Sequence, residues 1–565
     1  MGGGMSASLA ATNRPRVERP GRTMGAVLRV AMVAVPLACL ALFFLYPLAV
    51  IAWHSLLNGD ARLGVSNYVA LWRTPGMLEA AWHSLVLSAA TTLVSIVLGF
   101  MIAFTLQRSR LPAPNMIRAT LLLPMLAPSL MQGLGMLFLL GRNGLVHKWT
   151  GWDVEIYGFW GLLIADVIYA LPQAVLIIGA ALAQSDARYY DAADVLGARR
   201  WQQFFALTLP NARFGLLSAA FVVFTVTITD FGNAVVIGGN YHVLATEIYN
   251  QVSGQMNFGM GAAVGMVLLL PSLASVYIER MASQRQFGGA SESRVPVTPR
   301  ANRLRDGLLG VGCLLALLPI VASVATVVFA SFVRLWPYRL ELTLANYGGE
   351  LSGGYGAIVT SLEISLAAAA LGVLLLFSLS YGARRMPGAV SRLIYTVAVL
   401  PAAVPGMVVG LAYILAFNSG PLGTWLYGSA TVIVLCNFYH YHTQGFLTMS
   451  TGLRAVPAAL EEVVDCLGGG LRHALHDAVL PFVAATAVSV FFFLFMRSMV
   501  TLSAVVFLVT PALNLASVAV MQLDENGFVS QAAAYSTCIM VVTSLALVLM
   551  RLAMKRVMLR RDVVQ

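Results

Sequence analysis

The chain of 565 residues is 59% hydrophobic and only 10% charged, and its formal net charge is +11. A soluble protein would carry about 25% charged residues, so this composition excludes an ordinary soluble enzyme and predicts an all-α polytopic membrane protein. Arginine supplies most of the positive charge, since Lys148 and Lys555 are the only lysines. The arginines collect in loops, as beside anionic lipid, which argues against nucleic-acid binding.

The N-terminal segment carries four arginines before its first apolar run, as a signal peptide does. The run is too long for a signal peptide and has no small-residue cleavage pattern, so we expect a helix that stays in the membrane. Eleven further runs are each long enough for one span of about 20 residues. The predicted spans are 27–53, 83–106, 116–140, 156–183, 213–232, 259–280, 307–333, 358–383, 391–417, 428–449, 482–508 and 532–552.

A polar stretch rich in Gly, Ser, Pro and Arg separates the first six spans from the last six. The predicted division is an N-terminal tail at 1–26, a first transmembrane domain at 27–282, a linker at 283–306, a second transmembrane domain at 307–552 and a C-terminal tail at 553–565. Most loop arginines fall on one side of the membrane if both termini lie there. The positive-inside rule therefore predicts that both termini are cytoplasmic.

The two domains repeat one another in the same order along the chain. The matched residues are Pro124 with Pro401, Pro128 with Pro405, Gly133 with Gly410, and Asn67-Tyr68 with Asn346-Tyr347. An ordered set of matches predicts about 12 transmembrane helices in two parallel six-span repeats.

A polar loop after the fourth span of each half carries the most functional information. In both copies an acid is followed by Gly six residues later, and that Gly by Pro thirteen residues later. One amphipathic loop would be ordinary at a membrane surface, whereas two with matching spacing predict two equivalent docking points for a cytosolic partner. The residues are Asp191, Ala192, Ala193, Gly197, Leu209 and Pro210 in the first copy and Glu462, Val463, Val464, Gly468, Leu480 and Pro481 in the second.

Each signature loop is predicted to fold as a short helical hairpin. Ser185 would cap a first helix from Ala187 to Leu196. Gly197 would allow the chain to reverse, because it has no side chain to oppose a left-handed backbone. A second short helix would follow, and Pro210 would mark the return into the bilayer.

With these spacings the chain resembles the permeases of binding-protein-dependent ABC importers, whose loops have the signature E-A-A-x-x-x-G-x9-I-x-L-P. Departures are Asp191 for Glu, Val463-Val464 for Ala-Ala, and Leu207 and Ala478 at the Ile position, which keep charge or apolar character. The resemblance implies that each loop is a coupling helix in a groove of an ATPase. It also implies an inner-membrane permease that works with two copies of that ATPase and a periplasmic solute-binding protein.

The sequence contains no G-x-x-x-x-G-K-[ST] motif and no Gly-Lys pair, so it lacks the lysine that a P-loop needs for phosphate. We therefore expect a permease that is not itself an enzyme and binds no cofactor, with ATP and Mg²⁺ used by the partner ATPase. The five cysteines show no metal or disulfide spacing. His440 and His442, two positions apart, would not share a helix face, so we expect no metal site there.

The substrate is indicated only by narrower likenesses. Two fused halves resemble the ferric-iron type permeases, while residues 227–261 and 497–527 resemble permeases assigned to 2-aminoethylphosphonate uptake. The resemblance implies 2-aminoethylphosphonate first, with ferric iron or another small anion or thiamine-type solute as the alternative.

Polar side chains at membrane depth are costly and often functional. An anionic phosphonate would find an arginine on its path favourable. The alternative is that these groups only join neighbouring helices. The candidates for the translocation path are Asp166, Gln173, Asp230, Asn437, Gln444 and Arg497.

Three other classes of protein were weighed against an importer. A secondary transporter can have twelve spans in two parallel halves, but it would not need two docking loops. A membrane-embedded enzyme lacks support, since no H-E-x-x-H or G-x-S-x-G motif is present. A channel would have no obvious use for the duplicated loops.

Overall fold

A computed structural model describes residues 20–57, 62–287, 295–299, 301–348 and 354–564. Most of the predicted N-terminal tail, and residues 288–294 and 300 of the predicted linker, lie outside the described residues. The helices of the first half are α1 Pro20–Leu40, α2 Tyr46–Ser55, α3 Ser66–Arg73, α4 Met77–Arg108, α5 Pro114–Leu122, α6 Ser129–Leu140, α7 Leu145–Thr150, α8 Phe159–Ala183, α9 Ala187–Val195, α10 Arg200–Gln203, α11 Leu209–Ile228, α12 Gly232–Ile237, α13 Leu244–Tyr249 and α14 Phe258–Phe287.

The second half repeats this helical order and adds one short antiparallel hairpin, β1 Val333–Leu335 with β2 Arg339–Leu342, which the sequence did not predict. Its helices are α15 Arg303–Ser331, α16 Gly356–Arg385, α17 Gly388–Val399, α18 Gly406–Phe417, α19 Gly420–Leu426, α20 Ala430–His440, α21 His442–Arg454, α22 Ala458–Cys466, α23 Leu471–His473, α24 Leu480–Val500, α25 Ala516–Glu525 and α26 Val529–Val564. The all-α polytopic fold predicted from composition is therefore confirmed in outline.

Three of the predicted twelve spans are not single continuous helices. Within the described ranges, nine helices are long and apolar enough to cross a membrane, or up to eleven if two bent helix pairs each count as one span. The remaining run, predicted at 428–449, divides at Tyr441 into α20 and α21, and α20 is an apolar helix too short for that criterion.

The two bent pairs are the predicted spans at 116–140 and 391–417, which are not continuous helices. Helix α5 and its 3-10 extension meet α6 at 105°, and α17 with its extension meets α18 at 102°. The bends lie at Ala127 and Val404, both extended, each followed by a proline. Proline removes an N–H and disfavours helical geometry in the residue before it, so the matched prolines break both helices at the same place.

Side chains satisfy backbone groups that the bends release from helical hydrogen bonding. In the first half, Gln132 Nε2 donates to the carbonyl of Pro124 at 3.1 Å. In the second half, His442 Nδ1 lies 3.1 Å from the carbonyl oxygen of Ala398, and the Thr443 hydroxyl also approaches it. A broken helix at membrane depth is tolerated where the protein interior supplies such partners, which assigns His442 a structural role.

The repeated Asn-Tyr pair fixes the end of the first span in each half. Asn67 Nδ2 donates to the carbonyls of Ser55 and Leu57 at 3.1 and 2.8 Å. Asn346 Nδ2 makes the equivalent bonds to Ser331 and Val333 at 3.0 and 2.7 Å. The tyrosine that follows each asparagine bonds the hydroxyl of the same serine. The sequence match thus reflects one repeated contact that terminates a helix.

Gly410 lets α18 approach the chain that follows α24. A Cβ atom there would lie 2.5 Å from the backbone oxygen of Ala504, which cannot move aside as a side chain can. We expect Gly410→Ala to lower the stability of the fold by about 1–3 kcal/mol through overpacking. The measurement is the unfolding temperature of the protein purified in detergent.

Gly388→Ala is the matched control, because a Cβ atom at Gly388 would meet nothing within 4 Å. It should unfold at the wild-type temperature or slightly above. Equal unfolding temperatures for the two variants would contradict the close approach at Gly410.

Candidate functional site: the signature hairpins and the central cavity

The first signature loop folds as a helical hairpin, as its sequence predicts. Helix α9 is capped by the Asp186 side chain, which accepts from the Arg188 backbone N–H, and not by Ser185. The side-chain hydrogen bond from Arg188 lowers the pKa of the Asp186 carboxyl. Gly197 has a φ of +73°, the left-handed geometry that ends the helix. The Ala198 N–H then bonds the carbonyl of Ala193 at 2.9 Å.

The second loop makes the same turn at the equivalent residues. Helix α22 precedes Gly468, whose φ is +77°. The Gly469 N–H bonds the carbonyl of Val464 at 2.9 Å, a bond of the same length and span as in the first loop. The third residue of each acidic triplet therefore supplies the carbonyl that closes the turn.

The Leu-Pro pair does not interrupt the helix, contrary to the expectation of a second short helix that ends before it. One continuous helical segment runs from Arg200 to Ile228. A π turn precedes the proline, in which the Leu209 N–H bonds the carbonyl of Phe204, and Leu480 bonds Leu475 in the same way. The wider π turn lets the helix continue although proline donates no N–H. Each hairpin is therefore rigidly joined to the span that follows.

Both hairpins expose apolar side chains at their tips. Leu196 is 85% exposed and Leu467, at the equivalent position, is 82% exposed. Val195 and Val463 are also exposed, and so are the signature acids Asp191 and Glu462. An apolar tip rimmed by charge is typical of a helix that seats in a groove of another protein.

An arginine at the end of the second span anchors each hairpin, a feature that the sequence reasoning missed. In the second half, Glu461 is 5% exposed and forms ion pairs with Arg384, at 3.5 Å, and with Arg385. The Tyr381 hydroxyl donates to the same carboxylate at 2.9 Å. These four side chains tie α22 to the end of α16.

The first half replaces this ion pair by a weaker contact. Arg108 lies over the ring of Tyr190, with 4.8 Å between its Cζ and the ring centroid. The Tyr190 hydroxyl in turn lies 3.0 Å from the Thr208 hydroxyl. Arg108 and Arg385 are separated along the chain by the same number of residues as the matched prolines. This shared spacing is the sequence signal that could have identified them.

Linker residues add a second difference between the hairpins. The Ala187 N–H donates to the carbonyl of Val295 at 2.9 Å, and Asp186 and Pro296 form an isolated antiparallel bridge. Arg110 Nε donates to the carbonyl of Pro299 at 2.9 Å. Residues 295–299 therefore pack against the start of the first hairpin, where the sequence predicted only a connection between halves.

A cavity of about 150 Å³ lies between the two halves. Its wall includes the second-half bend from Pro401 to Gly406 and the start of α6 at Ser129. It also includes the ends of α11 and α24. The proline-induced bends thus shape the cavity, and its polar lining residues are Ser129, Tyr169, Thr225, Thr229, Asp230, His440, Tyr441, Gln444, Arg497, Thr501 and Ser503.

The structure brings three of the six path candidates to this cavity and leaves three outside its lining. Asp230, Gln444 and Arg497 are on the wall. Asp166 is buried behind it and accepts from Asn233 Nδ2 at 2.9 Å. Asn437 Nδ2 donates to the Ser498 hydroxyl at 2.8 Å. Gln173 is half-buried on α8, away from the cavity lining, so the role of these residues in passage stays a prediction.

Tyr169, His440 and Tyr441 line the cavity but were absent from the candidate set. The first two align at the offset of the signature loops, which was a usable signal. Tyr441 could not be identified from the sequence. It lies at the break between α20 and α21, and that break directs it to the cavity. In the described residues no group of three or more His, Cys, Asp or Glu side chains could hold a metal ion.

Comparison with known proteins agrees with this geometry. The sequence profile of the family "Binding-protein-dependent transport system inner membrane component" matches residues 95–287, a range that contains the first hairpin. The chain is 27% identical to a putative ferric transport system permease protein of Haemophilus influenzae over 83% of this chain and 76% of that protein. It is also 27% identical to a ferric transport system permease protein of Actinobacillus pleuropneumoniae over 90% and 75%.

A shorter relative is similar to a single half. The molybdenum transport system permease protein of Azotobacter vinelandii is 32% identical over 34% of this chain and 88% of its own length. The chain therefore belongs to the family of binding-protein-dependent transport system inner membrane components. It is a multi-pass inner-membrane permease of an ABC importer, of the fused two-half type.

The ion pair at Glu461 is expected to hold the second hairpin in place. Glu461→Gln removes the carboxylate that pairs with Arg384 and Arg385; because both arginines are partly exposed, the expected loss is about 1–3 kcal/mol. The expected result is a lower unfolding temperature of the purified permease and weaker retention of its ATPase during purification.

Glu462→Gln is the neighbouring comparison, because Glu462 is exposed on the same helix. It should leave the unfolding temperature unchanged and weaken only the retention of the ATPase. If both variants unfold at the wild-type temperature, the anchoring role of Glu461 is wrong.

Proposed function

We propose that this permease forms the whole transmembrane pathway for 2-aminoethylphosphonate, which a periplasmic binding protein delivers and two copies of a separate ATPase drive inward. The observation that carries the proposal is the cavity between the halves with Arg497 in its wall, in a chain that also presents two matched hairpins with exposed tips. Both hairpins and both termini would lie in the cytoplasm.

The connections of the hairpins support a lever function. Each hairpin continues through a π turn into the fifth span of its half, α11 or α24. Each is also held to the end of the second span by an arginine, Arg108 or Arg385. A displacement of the hairpin tips by the ATPase would therefore move two spans together, and α11 and α24 end at the cavity wall. Closure of an ATPase dimer would thereby change which side of the membrane has access to the cavity.

Arg497 in the cavity wall supports a substrate that carries an anionic group. Arg497 is a fixed positive charge, and guanidinium groups suit phosphonate oxygens through paired hydrogen bonds. The second candidate is ferric iron, because the two relatives that cover most of the chain are ferric transport permeases by name. A bare ferric ion would meet repulsion at Arg497, and for this reason we propose 2-aminoethylphosphonate first.

The docking of the hairpins can be tested by cysteine crosslinking in cells. Cysteine at Leu196 or Leu467 should form a crosslink to the ATPase, because both side chains are exposed at the hairpin tips and neither position needs a glycine. The experiment needs a Cys466→Ser background, since Cys466 is exposed beside the second turn. Cysteine at Gly388, an exposed position at the start of α17, is the control and should give no adduct.

Failure of both hairpin positions to capture the ATPase, in cells that make the full complex, would contradict the docking role. Capture from one hairpin alone would contradict the stoichiometry of two ATPases, while it would leave the importer assignment in place.

Substrate identity can be tested by uptake in cells that contain or lack the gene. Uptake of radiolabelled 2-aminoethylphosphonate should fall at least tenfold on deletion and return with the wild-type gene. It should withstand a protonophore while ATP is present but fail when the ATPase subunit is deleted, since a secondary transporter would show the opposite pattern. Loss of ferric iron uptake with unchanged 2-aminoethylphosphonate uptake would replace the first candidate by the second.

A further inference from the structure

We propose that the central cavity is a binding site for a small dipolar solute, in which Asp230 binds the cationic group and Arg497 binds the anionic group. The inference rests on the proposed function, because it assigns roles to residues of the same cavity. It goes further by giving each half of the permease one end of the substrate.

The two charged residues of the cavity wall come from opposite halves and have opposite sign. Asp230 follows α11 of the first half, and Arg497 lies in the last turn of α24 in the second half. By the offset that relates the signature loops, Asp230 corresponds to Thr501 and Arg497 to Val226, and both of these also line the cavity. The repeat therefore brings two pairs of equivalent positions to the same cavity. In each pair, only one of the two residues is charged.

Asp230 is held in place with acceptor capacity to spare. Its carboxylate accepts from the Asn233 N–H at 2.9 Å, and Ser129 and Gly232 lie beside it on the cavity wall. An ionised carboxylate offers about four acceptor positions, so this bond leaves acceptor positions for a ligand. An alkylammonium group is a donor that suits this position.

Arg497 shares the cavity wall with two tyrosines, Tyr169 of the first half and Tyr441 of the second. Its Cζ lies 4.8 Å from the Tyr441 ring centroid. A guanidinium has five N–H donors in a planar fork, and a contact with a ring face leaves those donors for an anion. Gln444 on the same wall adds a neutral polar side chain.

The acid and the base do not neutralise each other directly. Among the described residues, Asp230 and Arg497 form no ion pair at 4.0 Å or less. Tyr169 lines the same cavity wall as both residues. Burying two charges that are not paired is costly, and a ligand with complementary charges at its two ends would offset that cost.

The size of the cavity limits the ligand to a few heavy atoms. A volume of about 150 Å³ is that of a cavity that holds one benzene-sized molecule. A solute with an amine and an acidic group on a short carbon chain fits this volume and can contact both halves at once. Separation of the halves would then break one of its two ionic contacts, which gives a physical route to release.

The test measures saturable binding of radiolabelled 2-aminoethylphosphonate to the purified permease–ATPase complex without binding protein. Ethylphosphonate lacks the amine and ethanolamine lacks the acid, so in wild type each should compete at least tenfold more weakly than unlabelled 2-aminoethylphosphonate. In Asp230→Asn, unlabelled 2-aminoethylphosphonate should compete no better than ethylphosphonate. It should still compete more strongly than ethanolamine. Arg497→Gln should show the reverse pattern.

Controls separate recognition from folding. Asp230→Glu and Arg497→Lys keep the charges and should restore the wild-type ranking in part, whereas variants that fail through misfolding would not regain it. Glu363→Gln removes an exposed carboxylate of α16 outside the cavity and should change nothing.

The outcomes distinguish the two proposals. If the full complex transports 2-aminoethylphosphonate but both neutral variants keep the wild-type ranking, the dipolar site is wrong and the proposed function stands. If the complex transports none, but β-alanine or taurine binds with the residue-specific pattern described, the proposed substrate is wrong and the dipolar site stands. Absence of saturable binding by all three dipolar compounds overturns the site.

Discussion

The structure depends on the paired proline bends at Ala127 and Val404. Each bend turns a would-be span through about a right angle, at 105° and 102°, inside a layer where an unpaired carbonyl has no water to bind. Gln132 and His442 each supply a hydrogen-bond partner for a carbonyl close to a bend. Because the bends are satisfied internally, the chain can form a polar cavity between its halves without exposing backbone to lipid.

The signature hairpins depend on a second repeated constraint, the rigid connection between hairpin and span. A proline after a surface helix would ordinarily end it or kink it, but the π turns before Pro210 and Pro481 keep the helix continuous. The anchors behind the hairpins differ: a buried ion pair at Glu461 in one half and a ring contact at Tyr190 in the other. The described linker residues contact the start of the first hairpin, at Asp186 and Ala187. The two equivalent hairpins are thus held by different contacts in the two halves.

Much of this organisation could be predicted from the sequence because it is local or repeated. Gly197 and Gly468 were expected at chain reversals, and both have positive φ. Matching Asn-Tyr pairs predicted a duplicated structure and proved to be a duplicated helix-terminating contact. The same reasoning treated three spans as single continuous helices. An apolar run indicates depth in the membrane but not the direction of the helix, so the bends and the break at Tyr441 could not be predicted.

The sequence by itself determined the membrane-embedded helical class, the duplication and the positions of the signature hairpins, since composition, repeat spacing and glycine geometry act over short stretches of chain. Only the tertiary structure decided which polar residues meet. Asp166 and Asp230 were equal candidates by sequence, yet one is buried against Asn233 and the other lies on the cavity wall. Their difference arises from the packing of helices distant in sequence, and that packing decides which buried charge faces a cavity and which is enclosed by neighbouring side chains.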